Sequence, residues 1–440
     1  MIDPTEVQSL VLHPHAAARL DLAFLHCPTR QDLVRLLGTA AATVTPAAQA
    51  RSDRPSVNLG VTGAGIDLLD VGRRARAALP AAFLDGMRLA ATRNGDVGPS
   101  APETWVPPFA PGDPPVHAVV LAVGPRPGVP AADAPDWGGL AGSVDHLSTS
   151  AARWTGTSRP GGVEPFGFRD GISSPTIEGS GRPVRPGAGV WDGEALRWRA
   201  VRAGEALLGH VDESGAVAGH PDAAHLERDG SYLVVRRLEQ DVEGFRGACA
   251  SWAEGVEGLD ADDVADRIVG RRRDGTVLGQ RPGEEPANDF LYRDGGPQGR
   301  AVPPSSHIRR SHPRDDVEHA DRIVPRHQLF RRGIPYADEA DGTEGLLFLA
   351  LCADLRRQFE LVQSHWLQDG NRFGLGAETD PLTGQCPVGG GPRPASITGA
   401  DGGRVRTPSL PSFVTTRGGE YVLLPSRTAL RTMAARGPRP

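Results

Sequence analysis

The sequence predicts an α+β fold with antiparallel sheets flanked by helices, arranged in two halves of ferredoxin-like character. Apolar segments of strand length alternate with segments of helical periodicity, and the order strand, helix, strand occurs twice along the 440 residues. Gly- and Pro-rich stretches at 124–165, 271–305 and 380–412 indicate long loops between these elements. We expect one domain at 1–160 and a second at 161–440. Because the halves share no sequence identity, this duplication rests on the order of elements alone.

The first half contains three strand candidates and one helix. Thr29 is a residue type that caps helix N-termini, and Leu33, Leu36 and Leu37 follow it at helical spacing. The strand candidates are short apolar runs or alternate apolar with polar residues. The expected elements are a strand over 20–27, a helix over 30–43, and strands over 56–61 and 116–123.

The second half repeats this pattern. Asp354 follows a buried strand candidate directly and can cap a helix that carries Leu355, Phe359, Val362 and Trp366 at helical spacing. The other expected elements are strands over 232–238, 346–351 and 421–424, and helices over 260–270 and 426–433.

Composition excludes several classes of function. The net charge of −6 gives no support to nucleic-acid binding, and no apolar run approaches the length of a membrane span. The N-terminus shows no secretory signal, so we expect a cytoplasmic protein. All 48 basic residues are arginine, which excludes lysine Schiff bases and a P-loop lysine. The four cysteines are far apart without a CxxC pair, which indicates neither a zinc site nor a disulfide framework.

The segment Phe166-Gly167-Phe168-Arg169-Asp170-Gly171-Ile172-Ser173-Ser174-Pro175 is the most informative part of the chain. It places the carboxylate of Asp170 between two glycines, which allow backbone angles and close approaches that a Cβ would forbid. Pro175 prevents a regular element from continuing. The residues alone leave two interpretations, an Asp-Gly turn that closes a hairpin and a catalytic acid held on a stiff turn.

Two downstream segments combine a histidine with arginines. In His307-Ile308-Arg309-Arg310-Ser311-His312-Pro313-Arg314, an imidazole that can ligate iron precedes guanidinium groups that pair with carboxylates. In Leu329-Phe330-Arg331-Arg332-Gly333-Ile334-Pro335-Tyr336, an arginine pair ends at Gly and Pro, so one side chain could supply a fixed positive charge to a pocket. Read singly, a solvated basic loop and a surface arginine pair are the alternatives.

Together and in this order, the three segments resemble those of the dye-decolourising peroxidases, a haem peroxidase family. The GxxDG motif of that family is similar to 167–171, its proximal-histidine segment to 307–310 and its distal-arginine segment to 331–336. Similarity continues through 345–366 and 413–421. Two positions depart from the family pattern: His312 stands where many relatives have Asn, which makes it a competing ligand candidate, and Ala337 stands where Gly is common.

The resemblance implies two ferredoxin-like domains of the dimeric αβ-barrel type, with haem b held mainly by the C-terminal one. It implies that His307 is the axial ligand of the iron. It further implies that Asp170 is the acid and base that moves the protons of hydrogen peroxide, and that Arg331 stabilises developing negative charge. Hydrogen peroxide and bulky aromatic or phenolic compounds and dyes, oxidised in one-electron steps, are the expected partners.

Further site residues follow from the same resemblance. Leu346 and Phe348 lie two apart on one strand and therefore share a face, so they are candidates for the apolar distal wall, with plain core as the alternative. A carboxylate should hydrogen-bond the other nitrogen of His307, and Asp354 and Asp380 both qualify. The candidates for haem propionate contacts are Arg309, Arg310 and Arg314. The available electron carriers are Trp191, Trp198, Tyr232, Trp252, Tyr292, Trp366 and Tyr421, and for each of them a structural role is the favoured interpretation.

A haem-binding or haem-handling protein with incidental peroxidase activity is the alternative function. The presence of Asp170 and Arg331 besides His307 favours the enzyme, because binding alone needs only the histidine. The sequence leaves the physiological reductant and the oligomeric state open, a homo-oligomer included.

Overall fold

Across the described part of the chain, the main element is an antiparallel sheet of nine strands. The structure, a computed structural model, describes residues 1–14, 17–129, 136–293, 301–317, 319–386, 393–407 and 409–435. The strands are β1 (Arg19–Leu25), β2 (Ser56–Thr62), β3 (Ala118–Val123), β4 (Ser148–Thr157), β5 (Val190–Asp192), β6 (Arg197–Arg199), β7 (Ser231–Gln240), β8 (Phe330–Arg331), β9 (Ile334–Ala337), β10 (Glu344–Cys352), β11 (Ala395–Thr398), β12 (Arg404–Thr407) and β13 (Val414–Leu424). The sheet has the order β4-β1-β3-β2-β13-β7-β10-β8, with β9 also paired to β10. The pairs β5–β6 and β11–β12 form two separate hairpins.

Each half of the sheet has the strand order of a ferredoxin-like fold. In the first half, β1 to β4 lie in the order 4-1-3-2. In the second half, β7, β8, β10 and β13 count as strands 1 to 4 and lie in the same order. The α+β, ferredoxin-like fold class is therefore confirmed. The pairing of β2 with β13, through Thr62 and Val422, joins both halves into one sheet. The domain boundary at residue 160 stays a prediction.

The helices follow the predicted pattern where the caps are strong. The helix Arg30–Thr43 begins at Thr29, whose hydroxyl accepts the N–H of Asp32 while the Asp32 carboxylate accepts the N–H of Thr29. Asp260 caps Ala261–Val269 in the same reciprocal way. The further α-helices are Ser9–Leu12, Gly63–Leu69, Arg73–Ala78, Ala81–Ala90, Ala141–Leu147, Ala224–Glu227, Val242–Glu254, His307–Ser311, Ala320–Ile323 and Arg427–Ala434. In the part of the chain that the structure describes, no helix is both long and apolar enough to cross a membrane.

Two of the segments in which the structure differs from the sequence prediction are 124–165 and the helix after Asp354. The stretch 124–165, expected as a loop, contains the helix Ala141–Leu147 and the edge strand β4. β4 consists mainly of small and polar residues, and Trp154 is its one large apolar side chain. The sequence therefore lacks the apolar alternation that would predict a strand here. The helix after Asp354 is present, but it is wound as π-helix over Arg356–Glu360 and Val362–Leu367.

A second apolar cluster, separate from the main core, supports the region of the GxxDG motif. Phe166 and Phe168 of that motif pack with Phe245 of the helix Val242–Glu254 and with Phe413 next to β13. The Phe166 and Phe245 ring centroids lie 4.6 Å apart. The aromatic residues on either side of Gly167 therefore fix the motif to the C-terminal half of the molecule.

Candidate functional site

The GxxDG segment folds as a tight loop around a partly buried carboxylate. Glu164 accepts the backbone N–H groups of Phe166 at 3.0 Å and Phe168 at 2.9 Å, and Gln240 of β7 donates to it at 2.7 Å. Burial raises the pKa of Glu164 despite these hydrogen bonds. Gly167 has φ +96°, and a Cβ there would lie 2.8 Å from Arg273 Nη1, so this turn requires glycine.

Asp170 is held at the end of this loop by backbone and side-chain donors. Its Oδ1 accepts the N–H of Gly171 at 2.7 Å and the Nη2 of Arg331 at 3.3 Å. Gly171 has φ +77°, a conformation that L side chains adopt rarely. The Asp170 side chain is 30% exposed, so the carboxylate is fixed in place and yet open to small molecules.

The two neighbouring arginines after Phe330 have different tasks. Arg331 lies on β8, opposite Ala350 of β10, and its side chain reaches Asp170. Arg332 is buried and donates to the carbonyls of Leu10 and Val11 at 2.9 Å each. Burial lowers the pKa of Arg332 to about 9. Arg331 is thus the member of the pair that supplies a positive charge beside Asp170.

His307 stands at the start of the helix His307–Ser311 and faces a buried carboxylate. Its Nδ1 lies 3.2 Å from Oδ2 of Asp380, and Asp380 also accepts backbone N–H groups from Leu382 at 3.0 Å and Thr383 at 2.7 Å. Burial raises the pKa of Asp380, but His307, followed by Arg310 and the backbone donors, outweighs this and lowers it. Asp354, the other carboxylate considered, binds the N–H of Arg357 at the start of the π-helical segment.

One cavity of about 310 Å³ brings these groups together. Asp170, Arg331 and His307 all line it, and its volume is in the range of small-molecule sites. Leu346 and Phe348 line it from β10 and are partly exposed, whereas their neighbours in the strand, such as Leu347, are buried. These two residues therefore share the face of the strand that borders the cavity, as their spacing indicated.

The three arginines after His307 donate hydrogen bonds to different parts of the protein. Arg309 donates to Asp316 at 2.7 Å and to the carbonyl of Val302, and Arg310 donates to the carbonyl of Trp366 at 2.8 Å. Neither of the two is among the described residues that line the cavity. Arg314 does line it, while its guanidinium binds Asn288 and the carbonyl of Phe290. Of the three propionate candidates, the structure brings only Arg314 to the cavity.

His312 also lines the cavity. Burial, and after it the charge of Arg314, lowers the pKa of His312 to about 3, so its ring is neutral at ordinary pH. No acidic side chain within the described ranges is paired with it, in contrast to His307. The two imidazoles in this segment are therefore distinguished by the carboxylate of Asp380.

The aromatic electron-carrier candidates divide into buried and surface residues. Trp191 and Trp198 stack on the β5–β6 hairpin with ring centroids 5.6 Å apart, and both are partly exposed. The others are buried, namely Tyr232, Trp252, Tyr292, Trp366 and Tyr421.

Glu164 and Arg236 are two of the polar residues of the cavity wall that the sequence interpretation missed. Glu164, which shapes the GxxDG loop, was readable as a carboxylate shortly before the motif. Arg236 was readable as a charge inside the predicted strand over 232–238; it is buried, ion-paired with Asp96 and bonded to Thr416 at 2.6 Å. The contact with Asp96 links the first half of the chain to β7, and the contact with Thr416 links β7 to β13.

Comparison with known proteins points to one family. The family model "Dyp-type peroxidase, C-terminal" matches residues 211–385, a segment that contains His307, Arg331 and Asp380. A dye-decolorizing peroxidase of Mycetinis scorodonius (msp1) is 30% identical over 322 residues, which cover 65% of this chain and 60% of the relative. The multifunctional dye peroxidase DyP2 of Amycolatopsis sp. is 31% identical over 308 residues, covering 62% and 61%. The chain thus spans about three fifths of the length of these relatives.

Solved structures share the fold over almost the whole chain. A dye-decolorizing peroxidase in complex with 2,6-dimethoxyphenol aligns with a TM-score of 0.79 at 24% identity, covering 99% of this chain and 100% of the other. A fungal DyP-type peroxidase from Auricularia auricula-judae aligns with a TM-score of 0.76 at 22% identity, covering 99% of each chain. The family model and the relatives show similarity to the Dyp-type peroxidases over part of the chain, and the solved structures show that the chain has the same fold as these proteins.

Proposed function

We propose that this chain is a haem-dependent peroxidase that reduces hydrogen peroxide and oxidises dyes and other bulky aromatic compounds in one-electron steps. One observation carries the proposal. Asp170, Arg331 and His307 line the same cavity; Arg331 is paired with Asp170, and His307 is paired with the buried Asp380. The names of the relatives, which are dye peroxidases, support the class of substrate.

The residues of the cavity fit haem b as the cofactor. His307 lines the cavity with its Nδ1 beside a buried carboxylate, which leaves Nε2 as the nitrogen for a metal. A histidine ligand whose other nitrogen donates to a carboxylate is fixed in orientation and made more basic. Leu346 and Phe348 supply apolar wall, and Arg314 supplies positive charge for a propionate. When bound, haem provides the redox-active iron at which the peroxide bond is cleaved and electrons are exchanged.

Asp170 is the proton carrier in this proposal. As a carboxylate it can accept a proton from one oxygen of hydrogen peroxide and return it to the oxygen that departs as water. The N–H of Gly171 and the guanidinium of Arg331 hold its Oδ1, so the carboxylate keeps one orientation through both transfers. The guanidinium of Arg331 supplies a positive charge where negative charge develops.

Haem reconstitution followed by rapid mixing with peroxide tests the proposal. We expect a Soret band on addition of haem, a fast spectral change on addition of equimolar peroxide, and recovery of the starting spectrum when a dye is consumed. A protein that takes no haem contradicts the cofactor assignment. A haem complex that peroxide leaves unchanged supports the alternative, a haem-binding or haem-handling protein.

A further inference from the structure

A wide cleft meets the inner cavity at Asp170 and Arg331. It has a volume of about 1120 Å³ and shares Leu346 and Phe348 with the cavity, whereas His307 is not part of its lining. A molecule in this cleft is therefore next to the proposed proton carrier. The arginines that line the cleft are Arg159, Arg169, Arg182, Arg185, Arg331 and Arg332, and the acidic residues are Asp170, Glu285 and Asp289.

Half of these arginines already have ion-pair or hydrogen-bond partners within the protein. Arg159 is ion-paired with Glu344, Arg331 is paired with Asp170, and Arg332 binds backbone carbonyls. The other half, Arg169, Arg182 and Arg185, have no acidic partner within the residues that the structure describes. The cleft therefore has an excess of positive charge that the protein does not neutralise locally.

Arg182 is the least exposed of these three arginines. It is only partly exposed, and burial lowers its pKa, with the charge of Arg185 lowering it further. The charge of Arg182 in turn lowers the pKa of the buried Arg332. Like charges repel one another, so the placement of Arg182 beside Arg185 and Arg332 costs free energy that a bound anion would offset.

The loop that presents Arg182 and Arg185 is fastened to the rest of the cleft. Thr176 binds it at its base, donating its N–H to the carbonyl of Ala188 at 2.9 Å. Asn288 donates Nδ2 to the carbonyl of Gly187 at 3.0 Å. The Oδ1 of the same Asn288 accepts Arg314 Nη2 at 2.8 Å, so this loop is connected to the wall of the inner cavity.

We propose that Arg182 and Arg185, together with Arg169, bind the carboxylate or sulfonate group of an aromatic reductant in this cleft. The assignment rests on the proposed peroxidase function and narrows its substrates to aromatic anions. Guanidinium groups pair with carboxylate and sulfonate oxygens through charge-assisted hydrogen bonds. A cleft with charge of one sign also raises the local concentration of oppositely charged ligands. The aromatic ring would then lie towards Leu346 and Phe348, at the meeting point of cleft and cavity.

Calorimetric titration of the haem-loaded protein with ligands that are not consumed tests this site without peroxide. The probes are naphthalenesulfonate and naphthoate as aromatic anions and naphthol as their neutral counterpart. We expect both anions to bind more tightly than naphthol, and we expect the Arg182→Gln/Arg185→Gln protein to bind both anions about tenfold or more weakly while naphthol binding is unchanged. Added salt should weaken binding of the anions only.

Arg246→Gln is the matched control, because Arg246 is exposed on the helix Val242–Glu254 and lines neither the cleft nor the cavity. Arg185→Glu alone covers the case in which the double variant fails to fold, since Arg185 is exposed and reversal of its charge should weaken binding of both anions.

Two results would overturn the anion site. One is affinity for both anions that is equal in parent, control and cleft variants. The other is an equal loss for the anions and naphthol, which would show that the cleft had lost its shape rather than its charge. Since no turnover is measured, a protein without peroxidase activity can still bind the anions, and failure of the two proposals can be told apart.

Discussion

The two halves of the sheet have the same strand order and differ in what their strands carry. In the N-terminal half, β1, β2 and β3 are almost entirely buried. The one buried charge of β1, Asp21, is paired with Arg19 at 2.7 Å and bonded to Thr155 at 2.7 Å. In the C-terminal half, β7 and β10 direct Arg236, Leu346 and Phe348 to the inner cavity.

The difference lies in the connections rather than in the sheet. Residues 26–55 join β1 to β2 and contain one main helix, whereas the equivalent connection from β7 to β8 spans 241–329 and carries His307. A further long connection, 353–413, leads from β10 to β13 and brings Asp380 to His307. The same topology thus serves as packed support in one half and, in the other, as a frame for the residues to which we assign the function.

The largest effect is expected from Asp170→Asn in the C-terminal half. This change keeps the shape of the side chain but removes its basicity, so the second-order rate constant for the reaction with peroxide should fall by about 100- to 10,000-fold while haem binding is kept. Stopped-flow absorbance measures it. Asp289→Asn, in the same cleft, is the control and should leave the rate constant unchanged. An unaffected Asp170→Asn protein would assign the proton transfer to Arg331 and solvent.

In the N-terminal half, Phe24→Ala should act on stability alone. Phe24 is fully buried on β1 and stacks edge-on with Trp154 at 4.6 Å and Phe109 at 5.3 Å. Its truncation should lower the free energy of unfolding by about 3–5 kcal/mol, as measured by denaturant titration. The peroxide rate constant of the folded fraction should stay as in the parent. A large loss of that rate constant would mean that the two halves are not separable in function.

A smaller effect is expected from Asp380→Asn. This change keeps a hydrogen-bond acceptor beside His307 but removes its negative charge. Loss of the carboxylate should lower haem affinity or the peroxide rate constant by about 10- to 100-fold, measured by haem titration and stopped flow. Asp354→Asn is the matched control, because Asp354 lies at a helix start away from His307. Equal effects of both variants would remove the special role of Asp380.

The smallest effect is expected in the pH dependence of the free energy of unfolding, where the buried carboxylates Asp21 and Asp266 differ. Unlike Asp21, Asp266 has an Oδ1 without a hydrogen-bond partner among the described residues, and burial raises its pKa to about 7 from the ordinary 3.8. The folded protein therefore keeps a proton that the unfolded chain has released, so the free energy of unfolding should fall as pH rises through this range. In Asp266→Asn that contribution should vanish, and the stability profile measured by denaturant titration should be flatter. Parallel profiles of variant and parent would contradict the raised pKa.

Elements with strong local signals could be predicted from the sequence. The helix Arg30–Thr43 matches the expected bounds because Thr29 caps it and its leucines recur at helical spacing. The helix Val242–Glu254 was not expected, since Gly244, Gly247 and small residues interrupt its apolar pattern. Its stability comes from packing of Phe245 and Trp252 in the second apolar cluster, which only the folded chain reveals.

The candidate site, too, could be predicted only in part from the sequence. The sequence named Asp170, His307 and Arg331, but it could not show that Arg331 rather than Arg332 reaches Asp170. It could not choose between Asp354 and Asp380 either, because that choice depends on the path of the long connection after β10. Contacts made between distant segments are decided by tertiary packing, which local residue patterns do not encode.

The central claim is that His307, and not the nearby His312, holds the cofactor in the C-terminal half. Haem titration followed by absorbance compares His307→Ala with His312→Ala directly, because both remove an imidazole that lines the same cavity. We expect His307→Ala to lose the Soret band of the parent complex and to regain one when free imidazole is added, while His312→Ala keeps the parent spectrum. A parent-like spectrum in His307→Ala, with loss of the band in His312→Ala, would contradict the account.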